Sequence, residues 1–407
     1  MAALSVNGGT PVRSTPWPHY PIFGEREKKA AVRVVDSNWL VAHHGGSKEV
    51  DAFEKDFAEY IGCDLTLGIG NGTQALHLAL AASNIGVGDE VIVPTVTFMA
   101  TATSVLMQNA VPVFADSEPF TLGLDPKKVE EKITSRTKAI IPVHLYGYPA
   151  DMDGLLRVAK KHNLTVIEDC SHAHGAEYHG KKVGTLGDIG VFSLQQKKNL
   201  STGDGALFVT KHPEYADAVR KLRSFGHEEL SYNYRMTEVA AAIGQIRLTM
   251  LNEHNRVRRN NAAYLESKLS GLHGIKVRKP MPETSAVYYS FIFEYDPDSA
   301  GVELPVFLKA VQAEGIPLAP CYKPVHRQST FHPEKEPARG CPWKWKLYQP
   351  PEDERPSYEN GVCPLAEDYA DHRIAALKIH PPVSEADLDD AALAIRKVIE
   401  NSRELSR

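Results

Sequence analysis

The residues with the clearest chemical potential lie between positions 191 and 210, VFSLQQKKNLSTGDGALFVT. Two adjacent lysines, Lys197 and Lys198, follow an apolar strand and precede a Ser-Thr-Gly-Asp-Gly turn. A lysine amine can form an imine with a carbonyl compound and can afterwards carry a proton between carbons. Ser193, Ser201 and Thr202 add hydroxyl donors, while Gly203 and Gly205 permit close backbone approach. An exposed basic turn between two strands would have the same composition, so the segment alone decides nothing.

Three further segments bear on it. In VIEDCSHAHG, Asp169 ends an apolar strand, the edge at which ligands collect in open α/β sheets. A carboxylate there can keep a ring nitrogen protonated and strengthen a pyridinium ring as an electron sink. Helix capping is its other ordinary use. His172 can hydrogen-bond a ring substituent, with His174 beside it. No second cluster completes a metal site, and no metal is expected. GNGTQ opens a helix whose first amides lack internal partners, so Gly72, Thr73 and Gln74 can cradle a phosphate. The string matches neither the dinucleotide nor the Walker pattern, and a plain strand-to-helix turn looks similar. Phe98, in VPTVTFMATA, can present a flat face to a ring or pack in the core.

The elements that must position these groups alternate. Apolar runs such as DEVIVP, VPVFAD, KAIIPVHLYG, LTVIEDC and IGVFSL are separated by amphipathic stretches such as DMDGLLRVAKKHN. That alternation indicates an α/β fold with a sheet covered on both faces. A helix is expected from about Ala75 to Ala82 and a helix-rich region from about Thr237 to Leu269. A smaller α+β portion is expected beyond about residue 275. The expected division is 1–260 for an N-terminal segment with the large domain and 261–407 for a smaller C-terminal domain. The latter carries a turn-rich extension at about 331–361.

With 407 residues, 46 basic against 51 acidic side chains and a formal charge of −5, the chain has no field suited to a nucleic-acid backbone, and no recognition module is evident. Five scattered cysteines form neither a disulfide framework nor a zinc pattern. No apolar run is long enough for a bilayer, and the start lacks a signal-peptide pattern. A cytoplasmic protein without membrane anchor is the expectation.

Taken together, GGTPVR, GNGTQALHLAL, GDEVIVPTVTFMATA, PVHLYGYPADMD, IEDCSHAHGA, VFSLQQKKNLSTGDGA and YNYRMTEVAAAIGQ resemble, in order and spacing, the DegT/DnrJ/EryC1/StrS aminotransferases of fold type I. The likeness covers roughly residues 5–395. It implies a mostly parallel seven-stranded sheet with a smaller C-terminal domain, and pyridoxal 5'-phosphate as cofactor, alternating with pyridoxamine 5'-phosphate. Under it Lys198 is the Schiff-base lysine, with Lys197 one position off the family register. Asp169 faces the pyridine nitrogen, His172 the phenolic oxygen, and Phe98 stacks on the ring. Gly72, Thr73 and Ser193 bind the phosphate, with Gln74 adjoining. Asn233 reaches the phosphate of a neighbouring subunit, which implies a homodimer with shared active sites. The usual Gly-Glu-Gly-Gly after the lysine is here GDGA, with Asp204 and Ala206, for which altered local packing is expected.

The opening GGTPVRSTPWPHYP, SLQQKK and GIPLAPCYKPVHRQSTF resemble the cyclitol branch of the family. That implies L-glutamine (or L-glutamate) as donor and scyllo-inosose or 2-deoxy-scyllo-inosose as acceptor, in aminocyclitol antibiotic biosynthesis. His326 and Arg327 are candidate substrate contacts, and Trp343, Trp345 and Tyr348 candidates for a substrate mouth. The alternatives are a nucleotide-linked keto-sugar as acceptor, an aromatising synthase, or a cofactor-binding regulatory homologue that does not transaminate.

Overall fold

In the strand Glu90–Pro94, Val91 and Val93 join one apolar cluster with Leu76 and Phe114, while Ile92 joins a second with Phe53, Phe57 and Phe192. Alternate side chains thus reach opposite faces, and both faces are buried. The computed structural model describes residues 3–41, 48–226, 230–332 and 346–405. Seven strands build its large sheet: β1 (Leu65–Ile69), β2 (Glu90–Pro94), β3 (Val111–Ala115), β4 (Thr137–Ile140), β5 (Thr165–Asp169), β6 (Ile189–Ser193) and β7 (Ala206–Thr210). Their spatial order is β1-β7-β6-β5-β4-β2-β3. The pairs β3–β2, β2–β4, β4–β5 and β5–β6 are parallel, and β7 is antiparallel to both β6 and β1. Six strands therefore point one way, and their carboxyl ends share one edge.

The helix expected from Ala75 begins at Gly72, because the Asn71 side chain caps it by accepting from the Gln74 amide at 3.0 Å. The long helix Glu238–Leu269 is capped by Thr237 and runs through residue 260 without a break. Beyond it, strands Ile275–Val277, Phe291–Tyr295, Ile374–Leu377 and Ala319–Pro320 form an antiparallel four-stranded sheet. Helices Leu304–Ala313 and Glu385–Glu400 supply Phe307, Val311, Leu388 and Ile395 to its core. Among the described residues no helix is long and apolar enough to cross a membrane.

Part of the extension at 331–361 is placed differently from the expectation. Trp343 and Trp345 lie outside the described residues. Tyr348 is buried and donates its hydroxyl to Glu90 Oε1 at 2.8 Å, while Arg136 Nε donates to the same oxygen at 3.0 Å. Glu90 begins β2, whereas the shared direction of the parallel strands puts their ligand edge at the other end, so Tyr348 anchors the chain rather than lining a mouth. Tyr348→Phe should lower the unfolding free energy by about 1 kcal/mol and leave the catalytic rate within about twofold. Denaturant unfolding and steady-state rates check this; a slower enzyme of unchanged stability would contradict the anchor.

Candidate active site

Four strand ends meet at one cavity of about 750 Å³. β1 delivers Asn71–Gln74, β2 delivers Thr97 and Phe98, β5 ends in Asp169, and β6 ends in Ser193. Lys198, His172, Tyr289 and Tyr322 also line the space. Of the candidate residues, Gly72, Thr73, Gln74, Phe98, Asp169, His172, Ser193 and Lys198 are brought together here.

Asp169 is held at both oxygens. Thr101 Oγ1 donates to Oδ2 at 2.9 Å, and the Ser171 amide donates to Oδ1 at 3.1 Å. Thr97 Oγ1 lies 3.0 Å from Thr101 Oγ1. Their i,i+4 spacing across the start of the helix Ala100–Met107 is the one signal in TFMATA that could have disclosed Thr101. Lys198 is buried, and that burial lowers its amine from 10.5 to about 8 against the opposing pull of Asp169.

His172 accepts from the Tyr146 amide through Nδ1 at 3.3 Å, so its proton sits on Nε2, 3.5 Å from the Tyr322 hydroxyl. Burial, then the charges of Lys198, Lys378 and His174, hold its pKa well below the usual range, so the ring is neutral. It stacks on Tyr289 with centroids 4.0 Å apart and planes 5° from parallel. Tyr289 and Tyr322 come from outside the large sheet's strands, and nothing in their local sequence marks them.

The first-turn amides of the helix Gly72–Ala82 have no intrahelical acceptors, and Asn71 takes only that of Gln74. A Cβ at position 72 would come 2.8 Å from Ser193 Cβ and 3.1 Å from its Oγ, so glycine lets the helix start meet the end of β6. Phe98 is 53% exposed although it lines the cavity, an aromatic face without a covering group. An anion cradle, an aromatic face, a carboxylate and a buried low-pKa amine fit the phosphate, one ring face, the ring nitrogen and the aldehyde of a phosphorylated pyridine aldehyde. Gly72→Ala should push Ser193 aside and weaken retention of that cofactor by about tenfold, a loss of roughly 1.4 kcal/mol. Equilibrium dialysis measures it; unchanged retention would remove Gly72 from the cradle.

Asn233 does not line its own cavity. It is exposed, with a left-handed φ of 58°, and its Oδ1 accepts from Arg235 Nη2 at 2.8 Å. His326 and Arg327, the candidate substrate contacts, also lie off the cavity wall. His326 is fully buried, with Nδ1 2.5 Å from Thr95 Oγ1, and packs against Phe114. Arg327 pairs with Asp371 and Glu367, each at 2.5 Å. These contacts join the segment after residue 320 to Thr95 and to the chain around Glu367. Asp204 lines the cavity; its Oδ1 accepts from the Gly205 amide at 3.0 Å, a short local tie compatible with aspartate in GDGA.

Among the described residues one buried group, His144, Glu168 and Cys170, has metal-like proximity. The nitrogens of His144 and the oxygens of Glu168 already have partners. His144 Nδ1 accepts from the Ala150 amide at 3.1 Å, so Nε2 donates to Glu168 at 3.0 Å. Glu168 also accepts from the amides of Gly184, Leu186 and Gly187 at 2.7, 2.8 and 2.7 Å. The group ties loops together beneath Asp169.

The DegT/DnrJ/EryC1/StrS aminotransferase family model matches residues 21–350. The chain belongs to this family. DegT-family membership brings pyridoxal-phosphate-dependent amino transfer, the cofactor and activity expected from the motifs. The chain is similar to the L-glutamine:2-deoxy-scyllo-inosose aminotransferase of Streptoalloteichus tenebrarius, 39% identical over 81% of this chain and 83% of that protein. It is also similar to GDP-perosamine synthase of Caulobacter vibrioides, 39% identical over 75% of this chain and 84% of that protein. Among solved structures, S. venezuelae DesV superposes with a TM-score of 0.80 at 34% identity, over 92% of this chain and 94% of DesV.

Proposed function

We propose that this aminotransferase moves an amino group from L-glutamine or L-glutamate to a free cyclic polyol ketone, scyllo-inosose or its 2-deoxy form, in aminocyclitol biosynthesis. The observation that carries the chemistry is the buried Lys198 amine, lowered to about 8, in one cavity with Asp169 and the Gly72–Gln74 turn. Pyridoxal phosphate supplies an electron sink that stores the amino group between the donor and acceptor halves of the reaction.

On this reading Lys198 is the covalent attachment point and, once displaced, the base that takes the donor's α-proton. Its lowered pKa raises the free-amine fraction near neutral pH to about a tenth, far above that of an ordinary lysine. Asp169, oriented by Thr101 and Ser171, holds the proton on the ring nitrogen. The Gly72 and Thr73 amides and the Ser193 hydroxyl would hold the phosphate, with Gln74 adjoining them. Phe98 would cover one ring face, and His172, neutral and pinned by Tyr146, directs Nε2–H rather than a charge at its neighbours.

The assembly is a homodimer whose subunits share their sites. Val32, Val35, Trp39, Leu40 and Val41 are exposed large apolar side chains on one stretch of chain, which a second copy would cover. Asn233, exposed and outside its own cavity, would reach the phosphate of the other subunit.

The cyclitol acceptor is favoured by the likeness to the S. tenebrarius protein. The cavity wall also offers the Tyr289 and Tyr322 hydroxyls and the Asn71 and Gln195 amides to a ring of hydroxyl groups. The perosamine synthase likeness favours a nucleotide-linked keto-sugar instead. The test is to incubate cofactor-loaded protein with L-glutamine and either scyllo-inosose or a nucleoside-diphosphate keto-sugar, and to weigh the amine formed by mass spectrometry. Amination of the free inosose supports the reading; amination of the nucleotide-linked ketone alone reverses the acceptor.

A further inference from the structure

The opening segment PWPHYP lies off the cavity wall, yet one of its side chains reaches the loop that carries Lys198. Tyr20 Oη donates to the Asn199 carbonyl at 2.7 Å, and Asn199 is the next residue after Lys198. Arg247 Nη2, on the helix Glu238–Leu269, donates to the same hydroxyl at 3.0 Å. A phenol has one proton to give and lone pairs to receive with, so the two contacts together aim that proton at Asn199.

The ring is held as well as the hydroxyl. His380 stacks on it with centroids 4.4 Å apart, and the buried guanidinium groups of Arg247 and Arg258 lie 5.6 and 5.1 Å from its centroid. Three residues earlier, Trp17 Nε1 donates to the Lys378 carbonyl at 3.1 Å, just past the small-sheet strand Ile374–Leu377. Lys378 Nζ in turn lies over the Tyr289 ring, 3.0 Å from the centroid, and donates to the Tyr289 carbonyl at 2.7 Å. Residues 17 to 20 therefore cross from the small sheet to the Lys198 loop.

That loop is tied at three points. The Lys198 amide donates to the Gln195 carbonyl at 2.8 Å, which closes a turn before the lysine. On the other side, Asn199 Nδ2 donates to the Val287 carbonyl at 3.2 Å, and the Asn199 carbonyl accepts from Tyr20. The amine sits at the end of a flexible four-carbon stem, so a small rotation of the peptide beneath it moves Nζ further than it moves the backbone.

We propose that Tyr20 is a positioning residue for Lys198: its hydroxyl, oriented by Arg247, fixes the peptide after the lysine and so aims the amine at the carbonyl it attacks. A misplacement of about 1 Å at a reacting group costs on the order of 10²-fold in rate. Loss of one tie out of three should cost less, about tenfold.

The inference rests on Lys198 as the covalent attachment point, and the experiment separates the two. Cofactor-free wild type, Tyr20→Phe and Trp17→Phe are mixed with pyridoxal phosphate while the growth of the visible band is followed. Borohydride then fixes the cofactor, and mass spectrometry maps the lysine that carries it. Tyr20→Phe keeps the ring on His380 and loses only the hydroxyl. Trp17→Phe breaks the segment's hydrogen bond to Lys378 and leaves Asn199 alone. The band should grow about tenfold more slowly in Tyr20→Phe, with kcat lowered about tenfold and KM for L-glutamine within about twofold of wild type, while Trp17→Phe stays near wild type. Attachment within about twofold of wild type in Tyr20→Phe, or equal slowing in both variants, overturns the positioning role. Cofactor fixed on Lys197 in wild type would instead overturn the Lys198 reading, and this inference with it. Should a melting curve show Tyr20→Phe to fold poorly, Tyr20→Leu replaces it in the same comparison.

Discussion

Lys198→Ala should lower the rate of amino transfer by at least about 10³-fold and remove the visible absorbance of the loaded protein, because both covalent attachment and α-proton transfer go through that one amine. Lys197→Ala is the matched control. Its side chain is exposed at the cavity rim, so the absorbance should survive. Retained transamination in Lys198→Ala, or its loss in Lys197→Ala alone, would transfer the role to the neighbour.

The same amine leaves a mark on stability. Its pKa is about 8 in the folded protein against 10.5 as an ordinary lysine, so between those values the unfolded chain binds more protons. Stability contributed by this group therefore rises with pH through that window, by up to about 3 kcal/mol, and is flat below it. Comparing cofactor-free wild type with Lys198→Ala by denaturant unfolding at pH 7.5 and pH 10 isolates the effect. Wild type should gain more than the variant. Equal gains would mean that burial leaves Lys198 titrating like an exposed lysine.

Asp169→Asn should cost about 10²- to 10³-fold in kcat/KM while the protein still folds. The carboxylate accepts from Thr101 Oγ1 and from the Ser171 amide at its two oxygens. Carboxamide has only one oxygen to offer, so its NH₂ must face one of those donors, and the negative charge opposite the ring nitrogen is gone. Steady-state kinetics measure the loss, and a melting curve separates it from unfolding. A rate within threefold of wild type would mean that the ring nitrogen needs no charged partner in this enzyme.

Much of this was legible because the relevant signals are local. Apolar runs of four to six residues identified the strands of the large sheet, and the break after LTVIED put Asp169 at a strand end. The helix-rich region expected from about Thr237 to Leu269 is one helix, Glu238–Leu269, and its cap, Thr237, was seen only in the structure. Glycine at 72 was also readable, although the reason for it, the approach of Ser193 Cβ, was not. The start of that helix was expected three residues late, because a capping side chain such as Asn71 extends a helix beyond its apolar periodicity.

What the chain alone determined, then, was the identity of the groups on the strand ends: an amine, a carboxylate and an anion-binding turn, in an order that specifies the family. Tertiary structure alone decided what surrounds them. Thr101 reaches Asp169 across 68 positions, Tyr322 reaches His172 across 150, and Lys378 covers a ring 89 positions away. It also diverted His326 and Arg327 into contacts with Thr95, Glu367 and Asp371, and Tyr348 to Glu90 at the far end of β2. Periodicity and capping report which way a side chain points from its own element. Which distant side chain it meets depends on how elements pack, and that is settled only when the whole core closes.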